Sequence, residues 1–231
     1  MSAFKFYSST VGRKFITGLT GALLVGFLLV HLGGNLTMLV GPGLFNTYTH
    51  HLESLGILLY AVEIVLLLIF AAHIVTALGV QLGKRRARPQ GYAVNASKGG
   101  PSRKTLASRS MIITGLVLFV FLPVHVWMFK YNQGRPSPSM IYDGKELRDL
   151  YSIVVTAFRN PAIAWGYATV MFLLGFHLRH GFWSALQSLG ALNRHWLPVV
   201  YGLGLLVALL LASGFILLPL WLHYVAPAPG M

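Results

Sequence analysis

Nine histidines occur in the 231 residues, and four of them, His31, His73, His125 and His177, fall inside four different apolar runs. An imidazole in hydrocarbon is costly unless it has a defined partner, so such residues turn inward toward one another or toward a bound group. Two chemistries answer that need. One is a set of interhelical hydrogen bonds from each ring to Ser, Thr or a backbone carbonyl. The other is ligation of iron by two neutral imidazoles approaching from opposite helices, as in a bis-histidine haem, and four histidines on four helices make two such sites. Cysteine is absent, which excludes a Cys-ligated iron–sulfur cluster, covalent c-type attachment through C-x-x-C-H, and disulfides. Any metal is left to His, carboxylate or Met. A proton pump or transporter would carry more buried Asp or Glu; here only Glu53 and Glu63 lie in or near an apolar run. The other five histidines have plainer places: His50 and His51 in a loop, His195 and His223 at span ends, and His180 near the end of its helix.

The elements that must position these rings are membrane helices. Hydrophobic residues make up 55% of the chain and charged residues only 10%, too little charge to cover a soluble domain of this size. Five runs are long enough to cross a bilayer as helix: about Phe15–Val40, Leu52–Leu82, Met111–Met128, Ala162–Leu189 and Leu197–Leu222. The expected fold is all-α, a polytopic membrane protein whose five helices bundle around two b-type haems, with residues 1–231 forming one domain. The apolar runs exclude a β-barrel, and no internal repeat at a fixed period is visible. Although Lys5, Arg13 and Lys14 precede the first run, that run is too long for a signal-peptide core and is read as a retained helix. The third connection is mixed in charge, and its second half, Lys145 to Phe158, has the spacing of an amphipathic helix lying on the membrane surface. Asn160-Pro161 supplies an N-cap and a proline at N1 for the fourth span.

The formal charge of +13 is explained by topology rather than by nucleic acid, because Lys and Arg sit between the apolar runs. The N-terminus and the 84–109 loop, with eight basic residues and no acidic one, belong inside, together with the 190–196 turn and Arg194. The first loop, the 131–160 connection and the uncharged tail Val225–Met231 belong outside. That orientation sets the depth of each ring. His31 lies about 24 Å and His125 about 21 Å up from the inner ends of their helices, near the outer side of a core about 30 Å thick. His73 lies about 14 Å from the inner end of its helix, and His177 about 23 Å from the outer end of its own. His31 therefore pairs with His125 at an outer level and His73 with His177 at an inner one. Glycines around the histidines (Gly18, Gly21, Gly26, Gly33 and Gly34; Gly175 and Gly181) serve either a haem slot or ordinary close helix packing. Pro123, two residues before His125, either bends its helix around a macrocycle or is a tolerated membrane proline.

Specific stretches carry a family resemblance. They are Phe27-Leu28-Leu29-Val30-His31-Leu32 with Asn35, Ala72-His73, Val124-His125-Val126-Trp127, and Gly175-Phe176-His177-Leu178-Arg179-His180-Gly181-Phe182-Trp183-Ser184 after Asn160-Pro161. In this order, with one ligand histidine on each of the first four helices, the chain resembles the di-haem cytochrome b anchor subunit of succinate:quinone oxidoreductases. The resemblance implies two non-covalent haem b groups held by His31, His73, His125 and His177, in the pairing already given. It implies a flavoprotein and an iron–sulfur subunit anchored on the inner face, and a quinone, menaquinone in many such enzymes, as electron partner. Succinate itself would react on the flavoprotein, and electrons would run through this chain in either direction. The place implied is a bacterial inner (cytoplasmic) membrane, with no nucleic-acid partner.

One departure is His180, where Asn or another residue stands in some relatives. Its place favours a role near a haem propionate or a quinone, against an interfacial histidine with no special role. Ser9 and Arg13 have the S-x-x-x-R spacing of a quinone contact in other succinate dehydrogenases, although Arg13 reads equally as a topology anchor. Glu53 is either a proton carrier for an outer quinone or an acid favoured by the dipole at a helix start. The rival functions are a di-haem anchor of another quinone-linked dehydrogenase and a haem-free transporter or structural anchor.

Overall fold

Each long apolar run becomes one helix, and the chain between runs supplies their ends. The computed structural model describes residues 7, 9–87, 90, 105–131, 138–193 and 195–227. Its long helices are α1 (Thr10–Leu36), α3 (Ile57–Ala87), α4 (Leu106–Phe129), α6 (Pro161–Ser188) and α7 (Leu197–Tyr224). All five are long and apolar enough to cross a membrane. Between them lie a 3-10 turn (Thr37–Leu39), helix α2 (Pro42–Ser54), a β-hairpin of β1 (Ser139–Tyr142) and β2 (Lys145–Arg148), and helix α5 (Leu150–Phe158). The expectations that rest on Lys5, Arg88, Arg103, Arg194 and the last residues of the tail lie outside the described residues.

Capping sets the helix starts. The Ser9 side chain accepts from Gly12 N at 3.0 Å at the start of α1, and Thr105 and Ser108 form a capping box for α4. Asn160 accepts from Ala162 N at 2.9 Å with Pro161 at N1 of α6, as the sequence indicates. Lys84, Arg85 and Arg86 occupy the last turn of α3, where cations favour the exposed carbonyl end of the helix dipole.

Three local expectations are corrected. The first connection is not an open loop: residues 42–54 form α2, so His50 and His51 are helical. The second span consequently starts at Ile57 rather than Leu52, because Gly56 turns the chain at φ +53° between α2 and α3. Glu53 thus ends one helix instead of opening another, and its Oε1 accepts from Arg148 Nη1 at 3.0 Å. The segment from Lys145 to Arg148 is a strand, so the helix before the fourth span begins only at Leu150. Asp143-Gly144, with φ of +51° and +71°, makes the tight turn that an Asp-Gly pair signals between strands. The buried residues Tyr151, Val154, Val155 and Phe158 of α5 pack with Phe45, Leu218 and Leu222, so its apolar face covers protein rather than lipid.

Successive long helices run antiparallel. Between α1 and α3, Arg13 Nη1 donates to Gly79 O at 3.3 Å and the Thr17 and Thr76 hydroxyls meet at 2.7 Å. Helices α6 and α7 pack most closely, with Gly175 against Ala212 and Gly204 against Phe182. A second buried group, Leu32, Met171, Leu174, Leu178, Ala208 and Leu211, joins α1, α6 and α7. Helix α3 differs, since none of its residues is buried. It leans on α1, and a large cavity separates it from α4 and α6. The segment α2–hairpin–α5 closes one end of that cavity, tied together by Asn46. This fully buried side chain donates to Asp149 Oδ1 at 2.8 Å and accepts from Tyr151 N at 2.9 Å.

Candidate metal centre

The cavity between α1, α3, α4 and α6 measures about 2040 Å³ and is lined mainly by apolar residues. Ordinary small-molecule pockets reach about 1,000 Å³, so this space is large. His31, His73, His125 and His177 all line it. The structure brings them together two by two. The rings of His31 and His125 have centroids 5.8 Å apart at 89°, and those of His73 and His177 are 6.5 Å apart at 65°. Metal–nitrogen bonds to imidazole are about 2.0–2.1 Å, which places two rings on opposite sides of one ion with centres roughly 6 Å apart. Since His73 lies beside Thr20, eleven residues before His31 on α1, the two pairs are about 16 Å apart along the helix.

Hydrogen bonds decide which nitrogen of His73 and of His177 is free. The Thr20 hydroxyl donates to Ile16 O at 2.7 Å and lies 3.2 Å from His73 Nδ1. The Thr114 hydroxyl donates to Ser110 O at 3.0 Å and lies 3.1 Å from His177 Nδ1. A hydroxyl has one proton, already given to its own helix, so each threonine accepts from an imidazole Nδ1–H. That fixes the tautomer whose Nε2 carries a lone pair, the form a metal needs. At the other pair, His125 Nδ1 lies 3.4 Å from the Tyr167 hydroxyl, which donates to Met128 Sδ at 3.6 Å, so the same logic holds. His31 is the exception. Its Nε2 lies 3.4 Å from Asn35 Nδ2, an amide that also donates to His31 O at 2.8 Å.

Among the described residues no three His, Asp or Glu converge. The glycines near the rings differ in what they adjoin. A Cβ on Gly21 would sit 3.2 Å from His73 Cε1, and one on Gly115 3.5 Å from His177 Cε1. Gly18 and Gly175 instead allow close helix packing, against Ala185 and Ala212, and Gly26 and Gly33 face open space.

Ser9 caps α1 and Arg13 ties α1 to α3; neither is among the residues lining the cavity. His180 does line it, with its ring against Trp183 at 5.1 Å and a buried Nδ1 that has no hydrogen-bond partner among the described residues.

Sequence reasoning missed Thr20, Thr114 and Tyr167, and a signal for them exists. Thr20-Gly21, Phe27 and His31 on α1 recur at the same spacing as Thr114-Gly115, Phe121 and His125 on α4. The phenylalanines stack on the histidines at 5.3 and 5.6 Å. Each threonine contacts the histidine of the next long helix, His73 on α3 or His177 on α6. The pair α1/α3 is thus repeated by α4/α6. The repeat has no fixed period because the intervening connections differ in length.

Compared with models of protein families, with curated proteins and with solved structures, the chain matches none.

Replacing Thr20 or Thr114 by Val keeps the shape and removes the acceptor. Each change should weaken binding of ferric protoporphyrin by the His73–His177 pair by about 10- to 100-fold and spare the His31–His125 pair, as measured by titrating the purified apoprotein.

Proposed function

We propose that this chain is the membrane-anchor cytochrome b subunit of a succinate:quinone oxidoreductase, carrying electrons between a peripheral iron–sulfur subunit and membrane quinone. The observation that carries the reading is the meeting of the four span histidines as two opposed pairs, 5.8 and 6.5 Å between ring centres. His31 with His125 and His73 with His177 would hold two b haems, each supplying a one-electron carrier when bound. The protein's own part is to fix ring orientation and tautomer through Thr20, Thr114 and Tyr167 and to exclude water with an apolar wall. A haem-free anchor would account for the hydroxyl acceptors on Nδ1 but gives no reason for a shared cavity on the other side of the rings.

The basic end of the helices, with Lys14, Lys84, Arg85, Arg86 and Arg109, faces inside in this reading and docks the iron–sulfur subunit, with the flavoprotein beyond it. All five acidic residues, Glu53, Glu63, Asp143, Glu146 and Asp149, lie toward the other end or in the hairpin segment, on the outside. The membrane is the bacterial inner membrane, and the N-terminus is inside. Ser9, Arg13 and His180 remain candidates for quinone or propionate contact at the inner end.

Two measurements test this reading. Replacing His31 or His125 by Ala should remove one and the same spectral component, and replacing His73 or His177 the other. Loss of the same component from the His31 and His73 variants would overturn the pairing. Mild solubilisation should recover the chain with a flavoprotein and an iron–sulfur protein that together oxidise succinate. Recovery with a formate- or hydrogen-oxidising partner would instead assign it to another quinone-linked dehydrogenase.

A further inference from the structure

The internal repeat predicts a partner for the one ligand ring that lacks a hydroxyl acceptor. Tyr167 precedes His177 on α6 by ten residues, and its hydroxyl lies beside His125 Nδ1 at 3.4 Å. On α3 the residue ten before His73 is Glu63. The contact of Thr20 with His73 sets the level of α3 against α1, as that of Thr114 with His177 does for α6 against α4. Eleven residues along the rising helix and ten back along the descending one bring His125 level with Tyr167, and the same steps bring His31 level with Glu63. Both Glu63 and His31 line the cavity.

Glu63 is a carboxylate in an apolar helix, and it needs partners. In the structure one oxygen, Oε2, forms an ion pair with Lys130 at the end of α4, and Lys130 also lies over the Tyr60 ring at 5.3 Å. No hydrogen bond engages the other oxygen among the described residues. Histidine ligands commonly give their second N–H to a carboxylate, which orients the ring and makes it a stronger donor.

We infer that Glu63 is the positioning residue of His31, accepting its Nδ1–H through the oxygen not held by Lys130. The inner pair is thus backed by two neutral hydroxyls, and the outer pair by one phenol and one carboxylate. The two centres, alike in their ligands, acquire different donor strength, and the outer iron is held more strongly in its ferric state than a hydroxyl-backed pair would hold it. This inference rests on the haem reading given above.

The test uses the full chain in its complex, with redox titration and electron paramagnetic resonance of the two low-spin centres. Glu63→Gln, close in shape, should raise the midpoint of the outer centre and shift its g values, leaving the inner centre unchanged. Lys130→Met, which leaves the whole carboxylate to His31, should move the outer midpoint the other way. Glu63→Tyr, which copies the repeat, should preserve both haems and bring the outer g values toward those of a phenol-backed pair. A through-space charge effect alone would move the midpoints and leave the g values fixed, and that result overturns the inference. So does an equal change at both centres. A wild-type chain without haem would sink the functional reading and this inference with it. Two intact centres indifferent to Glu63 would sink this inference alone.

Discussion

An imidazole in an apolar interior must spend both of its nitrogens, and the architecture follows from how this chain spends eight of them. At three of the four rings Nδ1 faces a hydroxyl whose own proton is already committed, to a backbone carbonyl for Thr20 and Thr114 and to a sulfur for Tyr167. The remaining nitrogen is then an acceptor with nowhere to turn except across the cavity, toward the ring of another helix. The interhelical hydrogen bonds and the ligation reading, which compete at the level of sequence, are therefore two ends of the same side chains. One end fastens α3 to α1 and α6 to α4, and the other leaves a lone pair aimed at a shared space.

That constraint explains an otherwise odd helix. Helix α3 buries none of its residues, yet it carries His73 and is tied to α1 by Arg13, Thr17 and Thr20. Beyond its contacts with α1, the helix borders the cavity, where under the proposed function dispersion contacts from a large flat group would replace those that side chains supply elsewhere in the core. At one end, α2, the hairpin and α5 close the cavity. Arg148 holds this cap to α4, donating to Phe129 O at 3.3 Å and Lys130 O at 3.4 Å while pairing with Glu53.

Much of this was legible in the residues, because length and apolarity leave few choices for a run such as Ile57–Ala87. The juxtaposition of His31 with His125, and of His73 with His177, was legible for a similar reason, since alternating direction and a fixed rise per residue set depth. Local chemistry in the connections was less so. Helical spacing in Leu147, Leu150 and Tyr151 concealed the turn at Asp143-Gly144, where two positive φ angles take precedence over periodicity. Gly56 likewise separated two helices that hydropathy merged. The polar residues behind the rings escaped because Thr20, Thr114 and Tyr167 look ordinary singly. Only their places relative to the histidines, seen in two copies, mark them.

Under the proposed function the opposed histidine pairs each take a haem. The most direct measurement is the haem and iron content of the purified chain together with its reduced-minus-oxidised visible spectrum. Two haem b per chain are expected, both six-coordinate and low-spin, with sharp b-type bands. A chain that purifies folded with no Soret absorbance, or with a single or high-spin haem, would contradict it.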